Sequence, residues 1–168
     1  WEYWQKYQIT QAESASTLYS EAQTATDDTI ATLKTQELQD GYTTSPYAAL
    51  ASLETAKKHA EKGEYEPAAA ALNWVIANTK DVDLKNVASV RLARVQASAG
   101  KYEEALKLAS QTYGASYESV LEELKGDIYS AQNKIEDARK AYERAIVAAK
   151  NSSSELIKIK LDNLGKGA

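Results

Sequence analysis

Apolar and small residues return every three or four positions through most of this chain, in stretches broken by Gly, Asn, Pro or Asp. Leu84, Val87, Ala88, Leu92 and Val95 predict one helix face, Gly100 turns the chain, and Tyr102, Ala105, Leu106 and Ala109 predict the face that packs back on it. The order then repeats. Tyr117, Val120, Leu121, Leu124 and Ile128 precede a turn at Asn133, and Ile135, Ala138, Tyr142, Ala145 and Ile146 follow it. Gly100 and Asn133 lie 33 residues apart, as do Ala105 and Ala138. A weaker copy, Gly63-Glu64-Tyr65 with Ala68, stands 37 residues before Ala105.

That period belongs to helical-hairpin arrays of the tetratricopeptide class. The expected fold is all-α, a tetratricopeptide-like solenoid with about four hairpins and a C-terminal capping helix. Residues 1–168 read as a single domain. Within it we expect a variant first hairpin over 1–40, repeats over 46–79, 84–113 and 115–150, and a capping helix over 153–164.

Punctuation supports these bounds. Thr26-Asp27-Asp28 offers a helix start, and Asp40-Gly41 an end with Gly in a left-handed cap. Ile30, Leu33, Glu37 and Leu38 give the helix between them a mixed apolar stripe. Ser45 suits a cap and Pro46 a first helical position. Pro67 falls in a first turn, where its missing amide costs little. Asp81 or Asp83 starts the next hairpin, Gly114 ends a helix or lies just past it, and Ser152 to Ser154 cap the last helix. Small residues face each other twelve positions apart, Ala93 with Ala105 and Gly126 with Ala138, so paired helices are expected to approach closely there. The threonines of the first hairpin lower its helix propensity.

Composition removes several chemistries. Cys is absent and His59 is the one histidine, which rules out disulfides, thiolate nucleophiles, Cys-His arrangements and histidine clusters, and with them nearly every zinc site. No cofactor or metal is expected. The net charge of -4 argues against nucleic acid as a partner. Met is missing even at position 1, so we expect a segment to precede Trp1. The cluster Trp1, Tyr3, Trp4 and Tyr7 has two readings: a helix packing on the first hairpin, or an aromatic belt at a membrane surface. The adjacent acids Glu103-Glu104, Glu122-Glu123 and Asp27-Asp28 diverge on a helix and are expected at the surface. Asn151-Ser152-Ser153 fits a glycosylation sequon, to which we assign no role.

In this repeat class the first helix of each hairpin lines the inner face. The candidate protein-binding groove is Leu50, Leu53 and Lys57, then Val87, Val90 and Arg94, then Val120, Glu123 and Asp127. Such a face suits an amphipathic or extended segment of a partner. Its apolar members also fit core positions, and its charges a solvated face. Too few Lys, Arg and Asn converge for recognition of a peptide C-terminal carboxylate.

The stretches Tyr47-Ala48-Ala49-Leu50-Ala51-Ser52-Leu53-Glu54, Leu92-Ala93-Arg94-Val95-Gln96 and Ile159-Lys160-Leu161-Asp162-Asn163-Leu164 resemble the periplasmic domain of the YfgM family, ancillary subunits of the SecYEG translocon. The resemblance covers nearly the whole chain, most strongly from Tyr47 to Ala109 and in the last helix, and weakly from Thr10 to Thr43. It implies a single-span bacterial inner-membrane protein with this domain in the periplasm, its N-terminal anchor lying before Trp1. Trp1 and Trp4 are then juxtamembrane. The implied partners are the SecYEG translocon, a PpiD-like periplasmic chaperone and unfolded secretory chains, with no catalysis. The alternatives are an architectural or dimerisation scaffold, or a coordinator of cell-envelope assembly or stress response.

Overall fold

The computed structural model of the chain describes residues 1–150 and 154–165. Among them every regular element is an α-helix: α1 (Glu2–Thr24), α2 (Asp28–Gly41), α3 (Pro46–Glu61), α4 (Tyr65–Asn78), α5 (Val82–Ser98), α6 (Tyr102–Ala109), α7 (Ala115–Ala131), α8 (Ile135–Ala148) and α9 (Ser154–Asp162). The chain separates into two compact units, Trp1–Leu92 and Ala93–Ala168, with the division inside α5. The expected cap at Ser152 to Ser154 and the sequon at Asn151 fall largely outside the described residues.

In the first unit α1 pairs with α2 and α3 with α4, while α3 also packs on α1 and α2. The core gathers Ala15, Leu38, Ala48 and Ala51, ringed by half-buried Leu18, Tyr19, Tyr47 and Trp74. The buried stripe of α2 is Ala31, Thr35 and Leu38; of the expected stripe Leu38 is buried, whereas Ile30 and Leu33 are exposed. Small residues won that face because α1 and α3 both press on α2. The Thr-rich sequence is accommodated by back-bonding. Thr10, Thr17 and Thr24 each donate to the carbonyl four residues earlier, at 3.0, 3.0 and 2.8 Å.

Caps follow the sequence closely. Asp27 accepts from the Thr29 amide at 2.7 Å, Ser45 from Tyr47 at 3.3 Å, and Asp81 from Asp83 and Leu84 at 2.9 and 3.1 Å. Asp81, not Asp83, thus starts α5. Gly41 is a correction: it lies inside α2 without a left-handed conformation, and Tyr42 follows it as the cap. Gly114 lies past the end of its helix, one of the two placements expected for it. Helix α6 stops at Ala109, and Gly114, at φ 106°, stands immediately before α7.

One turn recurs at three places. Gly63, Gly100 and Asn133 have φ of 75°, 76° and 58°. The next residue in each case donates its amide five positions back: Glu64 to His59 at 2.9 Å, Lys101 to Gln96 at 2.9 Å, and Lys134 to Tyr129 at 2.8 Å. This is the Schellman closure of a helix C-terminus. The same residue's carbonyl then receives the amide of Ala68, Ala105 or Ala138, at 3.1, 3.1 and 3.0 Å. All three alanines are fully buried.

In the second unit α7 pairs with α8, α6 with α7, and α9 covers α8. Ala138, Tyr142 and Ala145 form the core with Ile157 of α9, so the C-terminal helix does cover the last hairpin. Tyr142 lies over the bare backbone of Gly126, where an added Cβ would overlap its ring. The close approach expected at Gly126 therefore admits a ring from the facing helix.

Candidate protein-interaction site

Helix α7 presents Val120, Glu123 and Asp127 at intervals of three and four, so they share a face. These residues, with Arg94 of α5, Tyr102 at the start of α6 and Lys160 of α9, line an open cleft of about 480 Å³ in the second unit. Leu124 and Ile128 are buried beneath it. Four of the nine groove residues expected from sequence thus meet: Arg94, Val120, Glu123 and Asp127.

The acids of this cleft are already engaged. The Lys160 ammonium donates to Glu123 at 2.7 Å and to both Asp127 oxygens at 2.8 Å. The Tyr142 hydroxyl also donates to Asp127, at 2.8 Å. Burial pulls the Lys160 amine down, but the hydrogen bonds and charges of Asp127 and Glu123 outweigh it, and its pKa is raised. Burial, then the Asp127 bond and charge, push the Tyr142 phenol well above its usual range. Arg94 is exposed and makes no ion pair among the described residues.

Beside the cleft, Glu122 departs from the surface position expected of an adjacent acid pair. Its side chain is only 13% exposed and is held by Lys125 and by Arg144 of the facing helix, each at 2.7 Å. Burial raises its pKa, yet those two cations win and the net shift is downward. The signal was present in Lys125, one turn on. Nothing in the local pattern pointed to Arg144, 22 residues away.

The remaining expected groove residues belong to the first unit. Leu53 and Val90 are buried and serve as core; Leu50 and Val87 are half-buried. Lys57 is exposed and meets Glu61 along its own helix at 3.9 Å. A separate cleft of about 370 Å³ in that unit is lined by Tyr19, Glu54, Thr55 and Lys58, and not by Leu50, Leu53 or Lys57. At the N-terminus Trp1 is 88% exposed and Trp4 58%, their rings stacked with centroids 6.2 Å apart. The expected packing of the aromatic cluster is therefore not seen; α1 begins to pack only near Ala15. No helix among the described residues is long and apolar enough to cross a membrane, and no metal-ligating group is gathered among them.

The tetratricopeptide repeat-like domain family matches residues 1–166. The ancillary SecYEG translocon subunit of Escherichia coli (strain K12) is 34% identical over 169 aligned positions, covering 98% of this chain and 81% of that protein. The chain belongs to the YfgM family. Proteins of the same description from Aggregatibacter actinomycetemcomitans and Haemophilus influenzae are 32% and 29% identical, each over 98% of this chain and 81% of their own length. No solved structure matches the chain. Lys160, inside one of the stretches that carried the YfgM resemblance, was missed as a cleft residue because α9 looked like a cap alone. Its spacing from buried Ile157, three residues earlier, was the available hint.

Proposed function

We propose that this chain is a non-catalytic interaction module that works beside the SecYEG translocon and helps pass secreted chains to periplasmic chaperones. The observation that carries the reading is the 34% identity, over 98% of the chain, to a protein described as an ancillary SecYEG translocon subunit. The tetratricopeptide-like fold and an open, mixed-charge cleft support it, since such clefts seat extended segments of other proteins. On this reading a PpiD-like chaperone and unfolded secretory chains are partners, and Arg94, Val120, Glu123 and Asp127 belong to the contact surface. The module stands in the periplasm on a single-span inner-membrane anchor. Exposed, stacked Trp1 and Trp4 suit the membrane-water boundary, where rings with a polar edge are favoured.

The test is photo-crosslinking in intact cells from the full-length protein, with the reactive group placed at Val120, Arg94 or Ala131, and at exposed Lys134 and Arg139 as controls. Translocon or chaperone adducts from the cleft positions, absent from the controls, are expected. Adducts from the controls alone would move the contact surface elsewhere. A second reading has its own observation: Leu156 and Ile159, one turn apart on α9, are 71% and 54% exposed. Adducts only between copies of this chain would favour a dimerisation scaffold.

A further inference from the structure

We propose that the cleft of the second unit takes an acidic, apolar-flanked extended segment of a partner protein, with Arg94 as its anion contact and Lys160 setting that charge preference. The inference rests on the reading of the chain as an interaction module.

Glu123 and Asp127 are the obvious docking points for a basic side chain, and the structure closes that route from within. Lys160 spends its three hydrogen bonds on them, at 2.7, 2.8 and 2.8 Å. The Tyr142 hydroxyl holds Asp127 from a further direction, at 2.8 Å. A partner's ammonium would have to displace Lys160 and leave one half-buried cation without its acids, which costs more than the exchange returns. Arg94 is in the opposite state. It lines the same cleft, is exposed, and has no ion pair among the described residues. A guanidinium with its donors unspent is suited to a carboxylate, in paired hydrogen bonds that a lysine does not offer. Val120, half-buried at the cleft wall, and Leu124 beneath it give an apolar neighbour side chain a place to sit. The volume of about 480 Å³ admits a few residues of extended chain, not a folded domain.

The triad of Lys160, Glu123 and Asp127 keeps one net negative charge, so a basic probe belongs in the test. A labelled decapeptide of Leu, Asp and Ser, and the same decapeptide with Lys in place of Asp, are titrated with the 168-residue chain and followed by fluorescence anisotropy. The acidic probe is expected to bind at least tenfold more tightly than the basic one. Arg94→Gln should weaken the acidic probe about tenfold, while Lys134→Gln, an exposed cation of the same unit, changes nothing. Lys160→Gln frees the acid pair and should turn the preference toward the basic probe, with far-UV circular dichroism confirming the fold. Arg94 is exposed, so its variant keeps the test decisive even if Lys160→Gln unfolds. Equal or tighter binding of the basic probe to the unaltered chain overturns the inference, as do absent binding of the acidic probe and an Arg94→Gln variant that behaves like Lys134→Gln. Translocon crosslinks at Val120 together with absent acidic binding would sink this inference and leave the interaction-module reading standing.

Discussion

The first and last hairpins are the same construction made from different materials. In α1–α2 the helices meet through small and polar groups: Ala15, Ala22, Ala31 and Thr35 are buried, with Leu38 the one large side chain at full burial. Its two helices are joined by an aspartate cap and no left-handed turn. In α7–α8 a tyrosine ring fills a notch left by glycine, and Asn133 closes the turn. Ser119 donates across to the Ala145 carbonyl at 2.9 Å, and Glu122 and Asp127 bond to Arg144 and Tyr142. Each hairpin is thus held by contacts the other lacks. The α7–α8 pair depends on one shape match, while α1–α2 spreads its contacts over many small ones and leans on α3.

The sharpest break in that comparison is to remove the ring. Tyr142→Ala empties a buried site and leaves Asp127 with one fewer donor, for a loss of about 3–5 kcal/mol, as for other large aromatic truncations. Leu38→Ala, the matching deletion in the first hairpin, should cost less, about 2–3 kcal/mol, because α1, α2 and α3 meet there through small residues that close the gap. Urea unfolding followed by circular dichroism gives the totals, and hydrogen exchange locates them. The expected outcome is lost protection in α7 and α8 for the first variant and in α1 to α3 for the second. Equal costs would remove the distinction.

Overpacking sharpens it further. Gly126→Ala places a methyl into the Tyr142 ring and should cost about 1–3 kcal/mol. The repeats suggest the remedy. Ala56 and Leu72 occupy in α3–α4 the positions that Gly126 and Tyr142 occupy in α7–α8, sixteen residues apart in both, and both members of each pair are buried. Adding Tyr142→Leu to Gly126→Ala should therefore recover part of the loss, a coupling that a double-mutant cycle reads directly. Strict additivity would show that the two positions are not matched in size.

These pairs also mark what was legible beforehand. The three turns were, because a glycine or asparagine followed after five residues by a buried alanine is a local signature that survives at each copy. The first hairpin was half legible: its caps were written in Asp27 and Ser45, but the choice of Ala31–Thr35–Leu38 over Ile30–Leu33 depended on α1 and α3, which no window over α2 contains. The cleft was legible on α7 and at Arg94 of α5. Lys160 reaches Asp127 over 33 residues, and Arg144 reaches Glu122 over 22, so both belong to tertiary pairing that periodicity does not encode. The same blindness placed Leu53 and Val90 in a groove when they are core.

A pH scan separates the ion pairs of the two units. The Lys160 pKa is raised in the folded state, so its contribution is complete below the ordinary lysine range and is lost as pH rises through the elevated folded value. The Asp28 carboxyl, bonded and paired to Lys62 with Lys58 nearby, runs the other way: lowered when folded, it contributes above the ordinary carboxylate range and fails as pH falls through its depressed value. Because the Asp28 pair is exposed and the Lys160 triad half-buried, molar salt should flatten the acid limb due to Asp28 and leave most of the alkaline limb. Lys160→Gln should shrink that alkaline limb and leave the part due to the raised Tyr142 phenol. An alkaline limb unchanged in Lys160→Gln would mean that the triad adds nothing to the fold.

The smallest effect probes the material of the first hairpin itself. Thr32 is exposed on α2 and donates its hydroxyl to the Asp28 carbonyl at 2.8 Å. Alanine there gains intrinsic helix propensity, up to about 0.6 kcal/mol, and gives up a back-bond to a carbonyl that the Thr32 amide also serves within the helix. The sum should be a stabilisation of a few tenths of a kcal/mol. Arg139→Ala on the exposed face of α8 is the counterpart, and there the gain should vanish, because arginine is already a good helix former. Thermal melts of the two variants against the unaltered chain decide it. A lower melting temperature for Thr32→Ala would mean that the hydroxyl back-bonds hold α1–α2 together, and the spread of small contacts assigned to that hairpin would then include them.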